Sequence, residues 1–144
     1  MDNAPTSRQF VLKLAATAQH VAQRLDSSLG AIRGLSLAEY RLLVALADAP
    51  SSRASRVDLA RAVGLTPSGV TRALRPMEKL GIVATVRSKR DARLAIAGLT
   101  PAGRVLLNDA SSIVDDSMAD IIGRAGLSSE ELATIMDVLA KLTR

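Results

Sequence analysis

Apolar residues recur at helical spacing through most of this chain. Phe10, Leu14, Ala18, Val21 and Leu25 form one stripe, flanked by Val11, Ala15 and Ala22. The pattern predicts a helix from Thr6 or Ser7 to about Leu29, broken by Gly30 and Gly34. Ser36 and Glu39 then form a capping box, and the helix behind it turns Tyr40, Leu43, Val44 and Ala47 inward before stopping ahead of Pro50. Residues 51–54 read as a short extended piece, and Ser55 caps a two-turn helix containing Val57, Leu59, Ala60 and Val63. Gly64 ends that helix; Thr66 and Pro67 open the next, an N-cap residue followed by proline at the first helical position. Two short helices across such a turn outline a helix-turn-helix.

The periodicity then changes. Residues 82–87 alternate as a strand does, 88–92 form a polar turn and 93–99 return, which predicts a β-hairpin. Thr100 and Pro101 repeat the cap-plus-proline start for a long helix carrying Val105, Leu106, Ile113, Val114, Met118, Ile121 and Ile122. Ser128 and Glu131 make another capping box, and a last helix carries Leu132, Ile135, Met136, Leu139 and Leu142. The fold class expected is mainly α: a winged helix-turn-helix with a small β-hairpin wing, over about residues 36–100. Terminal helices at about 6–30 and 101–144 flank it, all in one domain spanning 1–144. These terminal helices hold more apolar surface than one helical pair needs, so they are expected to meet a second copy of the chain.

Composition narrows the chemistry. Apolar residues make up 48% of the 144, but Phe10 and Tyr40 are the only aromatics, so the core must be aliphatic. A net charge of +5 favours an acidic partner, nucleic acid or an anionic membrane. Without cysteine there are no disulfides, thiolate metal sites or thiol sensors, which suits a reducing cytoplasm. No secretory signal is expected, since residues 1–10 lack a basic stretch followed by an apolar one, and no membrane span, since no apolar run nears about 18 residues.

The predicted helix over 67–80 is the most informative element. Ser68, Thr71, Arg72, Arg75 and Lys79 fall on one side, opposite Val70, Ala73, Leu74, Met77 and Leu80. Glu78 lies at the margin of the polar side. Such a face fits DNA's major groove, where arginine bonds guanine and hydroxyls reach bases or phosphates. A merely solvated amphipathic helix would show the same stripe; the capped helix before it and the basic hairpin after it favour recognition. Pro76 inside this helix removes a hydrogen bond and predicts a bend. The hairpin tip carries Arg87, Lys89, Arg90 and Arg93 against one acid, Asp91, and suits a minor groove or phosphates, with Asp91 orienting Arg93. The plainer reading is a loop made polar for solubility.

His20 has no second histidine near it and Asp26 is too far along the helix, so no metal is expected there. A boundary position or a contact to a small ligand fits better. Tyr40 either packs with its hydroxyl satisfied or lines an effector pocket between the first helix, its own helix and the one after Pro101. No catalytic constellation appears: there is no glycine-rich phosphate loop, G-x-S-x-G or H-E-x-x-H, and Asp115 and Asp116 point about 100° apart. Neither enzyme activity nor a cofactor is expected.

Residues 56–103 resemble the winged helix-turn-helix core of the MarR family of bacterial transcription regulators. The most specific likeness is Asp91-Ala92-Arg93 followed by Leu99-Thr100-Pro101-Ala102-Gly103, similar to the family's wing signature; residues 71–81 are similar to its recognition helix and its end. The resemblance covers roughly residues 36–107. It implies a homodimer with intertwined terminal helices, a pseudo-palindromic operator in double-stranded DNA, and, for many members, release by a small aromatic or lipophilic ligand. It places Ser68, Thr71, Arg72 and Arg75 at the major groove, Arg93 in the minor groove and Asp91 as its support. Lys79 is added by the helical wheel alone. The alternative is a winged-helix module that binds small molecules or proteins without specific DNA recognition.

Overall fold

The structure, a computed structural model, describes residues 4–91 and 94–144. Six helices and a three-stranded sheet follow in the order α1 (Ser7–Arg33), α2 (Leu37–Asp48), β1 (Arg53–Ser55), α3 (Arg56–Val63), α4 (Pro67–Lys79), β2 (Val83–Arg87), β3 (Ala95–Leu99), α5 (Pro101–Ala125) and α6 (Ser129–Leu142). This is the mainly α, winged helix-turn-helix architecture that the hydrophobic pattern predicts.

Local chemistry starts and stops these helices. Thr6 and Gln9 exchange side-chain bonds with each other's amides at the head of α1. The helix runs through Gly30 instead of breaking there and ends at Gly34, whose φ of 65° is left-handed. A single glycine weakens a helix by only about 1 kcal/mol, which the packing of Leu29 on the core offsets. At α2 half of the predicted capping box forms: Ser36 Oγ accepts from the Glu39 amide, while the Leu37 amide donates to Asp26 of α1 at 2.6 Å. Ser55, Thr66, Thr100 and Ser128 cap α3, α4, α5 and α6 as expected, and Ser128 with Glu131 makes the complete box.

Residues 51–54 are not a plain extended piece. Pro50–Ser52 form a 3-10 turn in which Ser51 and Ser52 have φ of 55° and 53°, and only then does β1 begin. The Arg104 guanidinium donates to Ser52 Oγ at 2.8 Å and braces this turn from α5. The strand pairs antiparallel with β3, so the hairpin becomes a sheet in the order β1-β3-β2.

The core is aliphatic. Leu29, Leu42, Leu43, Leu46, Leu59, Val70, Leu74, Met77 and Val83 are all but inaccessible. Two residues of the predicted apolar stripes, Val57 and Leu80, are exposed, at 52% and 73%, and so is Val105, at 62%, on a helix expected to meet a second copy. Val57 sits in the first turn of α3 and Leu80 follows the last residue of α4. On α5 the inward residues are Gly103, Leu107 and Ala110, a different face from that of Val105. Arg24–Asp120 and Arg33–Asp109, each at 2.6 Å, lace α1 to α5 along the rim.

Candidate nucleic-acid interface

The candidate face is built on α4 (Pro67–Lys79). Thr66 accepts from the Gly69 amide at 3.0 Å and Pro67 occupies the first turn, so the helix starts without a side-chain shield over its leading end. Val70, Leu74 and Met77 are buried and fix its rotation about its axis. That rotation leaves Ser68, Arg72, Arg75 and Lys79 exposed; Thr71 is half-buried, its hydroxyl donating to the Pro67 carbonyl at 3.1 Å. The helix continues through Pro76 to Lys79, with the proline ring on the exposed side, where the unbonded Arg72 carbonyl can be hydrated. Among the described residues Arg72, Arg75 and Lys79 enter no ion pair, which leaves their charge available to an external anion.

Glu78 is the one acid of α4, and the tertiary structure disposes of it. Its carboxylate accepts from Arg56 Nη2 of α3 at 3.3 Å and from the Thr85 hydroxyl of β2. Proximity in sequence signals neither partner.

The wing is set against α4 by a tight junction at its base. The Thr100 hydroxyl donates toward the carbonyls of Gly81, at 2.6 Å, and Ile82, at 2.9 Å, while its oxygen also caps α5. Three residues on, Gly103 packs so closely that an added Cβ would lie 2.1 Å from the Ile82 carbonyl oxygen. The Thr-Pro-x-Gly run was legible as a helix start; its second task, holding the end of α4 and the start of β2 against α5, needs the packed structure to be seen.

At the tip, Ser88 organises the turn. Its amide donates to the Leu94 carbonyl at 2.8 Å, and its hydroxyl accepts from the Arg90 amide at 3.2 Å. Arg87, Lys89, Arg90 and Asp91 are exposed around it. Arg53 of β1 joins Arg87, Lys89 and Arg90 about a depression of about 830 Å³ between wing and α3, an addition that the sequence did not flag. Arg93 lies outside the described residues, as does its expected pairing with Asp91.

The candidate effector contacts do not converge. Tyr40 lines a depression of about 520 Å³ with Val44, Ala45, Ala62 and Val63, between α2 and α3. This is not the expected place between α1, α2 and α5; its hydroxyl bonds Ser111 of α5 at 3.1 Å instead. His20 is exposed beside a separate depression along α1, with Gln23, Arg24, Ser27 and Ser28. Among the described residues no cluster of three or more His, Cys, Asp or Glu could hold a metal ion, and no helix is long and apolar enough to cross a membrane.

The MarR family matches residues 33–94 of the chain. The HTH-type transcriptional regulator YdgJ of Bacillus subtilis (strain 168), itself uncharacterized, is 30% identical over 112 residues, which span 78% of this chain and 66% of YdgJ. The solved structure of Sco3205, a MarR family transcriptional regulator of Streptomyces coelicolor crystallised in complex with DNA, superposes with a TM-score of 0.84 at 23% identity over 98% of this chain and 89% of that one. BpsR of Bordetella bronchiseptica, whose DNA binding is regulated by 6-hydroxynicotinic acid, superposes at 0.74 and 21% identity over 92% of this chain and 99% of its own. Sequence match, wing signature and helix order agree: the chain belongs to the MarR family and has its winged helix-turn-helix fold.

Proposed function

We propose that this chain is one subunit of a homodimeric, cytoplasmic, sequence-specific DNA-binding transcription regulator, a repressor acting at a pseudo-palindromic operator. The observation that carries this reading is the face of α4: Ser68, Arg72, Arg75 and Lys79 stand exposed, while its single acid is paired behind them. In this reading Arg72 and Arg75 read bases in the major groove, and Ser68, Thr71 and Lys79 position the helix on phosphates and base edges. Lys89 and Arg90 meet the backbone beside the wing, and Arg93, supported by Asp91, enters the minor groove. The complex of Sco3205 with DNA supports it by likeness of fold.

The dimer rests on surface that the single chain leaves bare. Helix α6 has no buried residue, and Ile135, Met136, Val138, Leu139 and Leu142 are exposed along it, as are Phe10, Val11 and Leu12 at the start of α1. Apolar surface on that scale belongs in an interface. Two α4 helices related by a two-fold axis then address half-sites about 10 bp apart, or a multiple of that. A small aromatic or lipophilic acid is proposed as the releasing effector, on the parallel of BpsR and the partly apolar depression beside Tyr40. Such a ligand acts only if it binds the DNA-free state more tightly.

The test is fluorescence anisotropy with DNA from immediately upstream of the protein's own gene, against a shuffled duplex, over several salt concentrations. Tight binding to the first alone, falling steeply with salt, is expected. Absence of binding to either at low salt would overturn the reading in favour of a module without DNA recognition.

A further inference from the structure

Arg56 occupies an unusual position. It is the first residue of α3, where the exposed amides of a helix start disfavour a cation. Its side chain is four-fifths buried, and Nη1 is buried without a hydrogen-bond partner among the described residues. An unmet buried donor is destabilising. Neither helix capping nor burial of apolar surface accounts for a guanidinium here. What does is the contact of its other terminal nitrogen: Nη2 reaches Glu78 Oε1 at 3.3 Å, and the same oxygen accepts the Thr85 hydroxyl. One carboxylate thus joins α3, the C-terminal turn of α4 and β2, the first strand of the wing.

Glu78 is the only negative charge on a helix whose other charges are Arg72, Arg75 and Lys79. Unpaired, it would stand next to Lys79 and would repel any phosphate that those cations attract. Paired, it is neutralised from behind and becomes the tie between helix and wing. We infer that Arg56 is a positioning residue for DNA recognition: it cancels the Glu78 charge and, with Thr85, holds α4 and β2 in one orientation. This rests on the DNA-binding reading above, and Arg56 is not assigned any contact with DNA.

The test is a double-mutant cycle of Arg56→Met, Glu78→Gln and the pair together, read by anisotropy on the operator duplex with folding checked by urea denaturation. Arg56→Met should weaken binding about tenfold at low salt by exposing a like charge to the phosphates, and the difference should shrink as salt screens it. Glu78→Gln alone, which keeps the bond to Thr85, should stay within about threefold of the parent, and adding it to Arg56→Met should restore most of the lost affinity. A purely structural role would not be rescued that way. Arg56→Gln, which drops the charge but keeps a donor, replaces Arg56→Met if the latter does not fold. If the parent binds the operator but the Arg56 variant binds as tightly, or the double variant stays as weak as the single, the role of Arg56 is overturned and the DNA-binding reading stands. A parent that binds no DNA overturns both.

Discussion

Helices α4 and α6 are nearly equal in length, at 13 and 14 residues, and each carries one apolar stripe. Their fates in the chain are opposite. The stripe of α4 is consumed by the core through Val70, Leu74 and Met77, so its polar side is presented at a fixed angle. Helix α6 has no fully buried residue, only Leu132 being partly covered, and its stripe is the exposed side. An amphipathic pattern therefore states that a face must be covered without saying by what. Where the chain itself covers it, the remaining face is free to be specific; where it does not, the stripe is left to a partner, which the proposal above makes a second copy of the chain.

The contrast can be broken most severely from inside. Leu74→Ala removes a fully buried side chain beneath the cationic face. It should lower stability by about 2–5 kcal/mol in urea denaturation, and a loss below about 1 kcal/mol would mean that α4 is not anchored as described. On α6, Leu139→Glu should leave the monomer fold intact but shift the proposed dimer to monomer in sedimentation velocity; an unchanged dimer would take α6 out of the proposed interface. On the polar side of α4, Arg72→Ala and Arg75→Ala should each lose about 1–3 kcal/mol of discrimination at particular base pairs, measured by competition with single-substituted operators. Equal losses on all sequences would make them phosphate contacts only.

The smallest effect concerns how α6 begins. Glu131 accepts from the Ser128 amide at 2.7 Å, and bonds with Ser128 hold its carboxyl below the ordinary value. A carboxyl lowered in the folded state stabilises it at neutral pH, and that contribution fades as pH falls through the carboxylate range. Thermal melts of the parent and Glu131→Gln should therefore differ near neutrality and converge in acid. A difference that persists unchanged would assign the cap to geometry alone.

Much of this architecture was legible residue by residue. The caps at Ser36, Ser55, Thr66, Thr100 and Ser128 join groups three positions apart, and the helix-turn-helix and hairpin follow from them and from a change of hydrophobic period. The exposed face of α4 was equally plain, because a helical wheel needs only the helix. The errors mark where that logic stops. Val57 carries an apolar side chain on a turn whose burial depends on which way the whole helix rolls, and no wheel contains its neighbour's position.

What depended on distant partners could not be read. Arg56 and Glu78 are 22 positions apart, Gly103 meets the Ile82 carbonyl across a helix junction, and β1 finds β3 more than 40 positions along the chain. Short-range hydrogen bonds and periodic burial are properties of a local segment, so the elements and the cationic face were already written in the order of residues. The charge cancelled behind that face, the sheet's third strand and the close approach at the wing's base arise only when separate segments pack. Their energies belong to pairs that the chain order does not name.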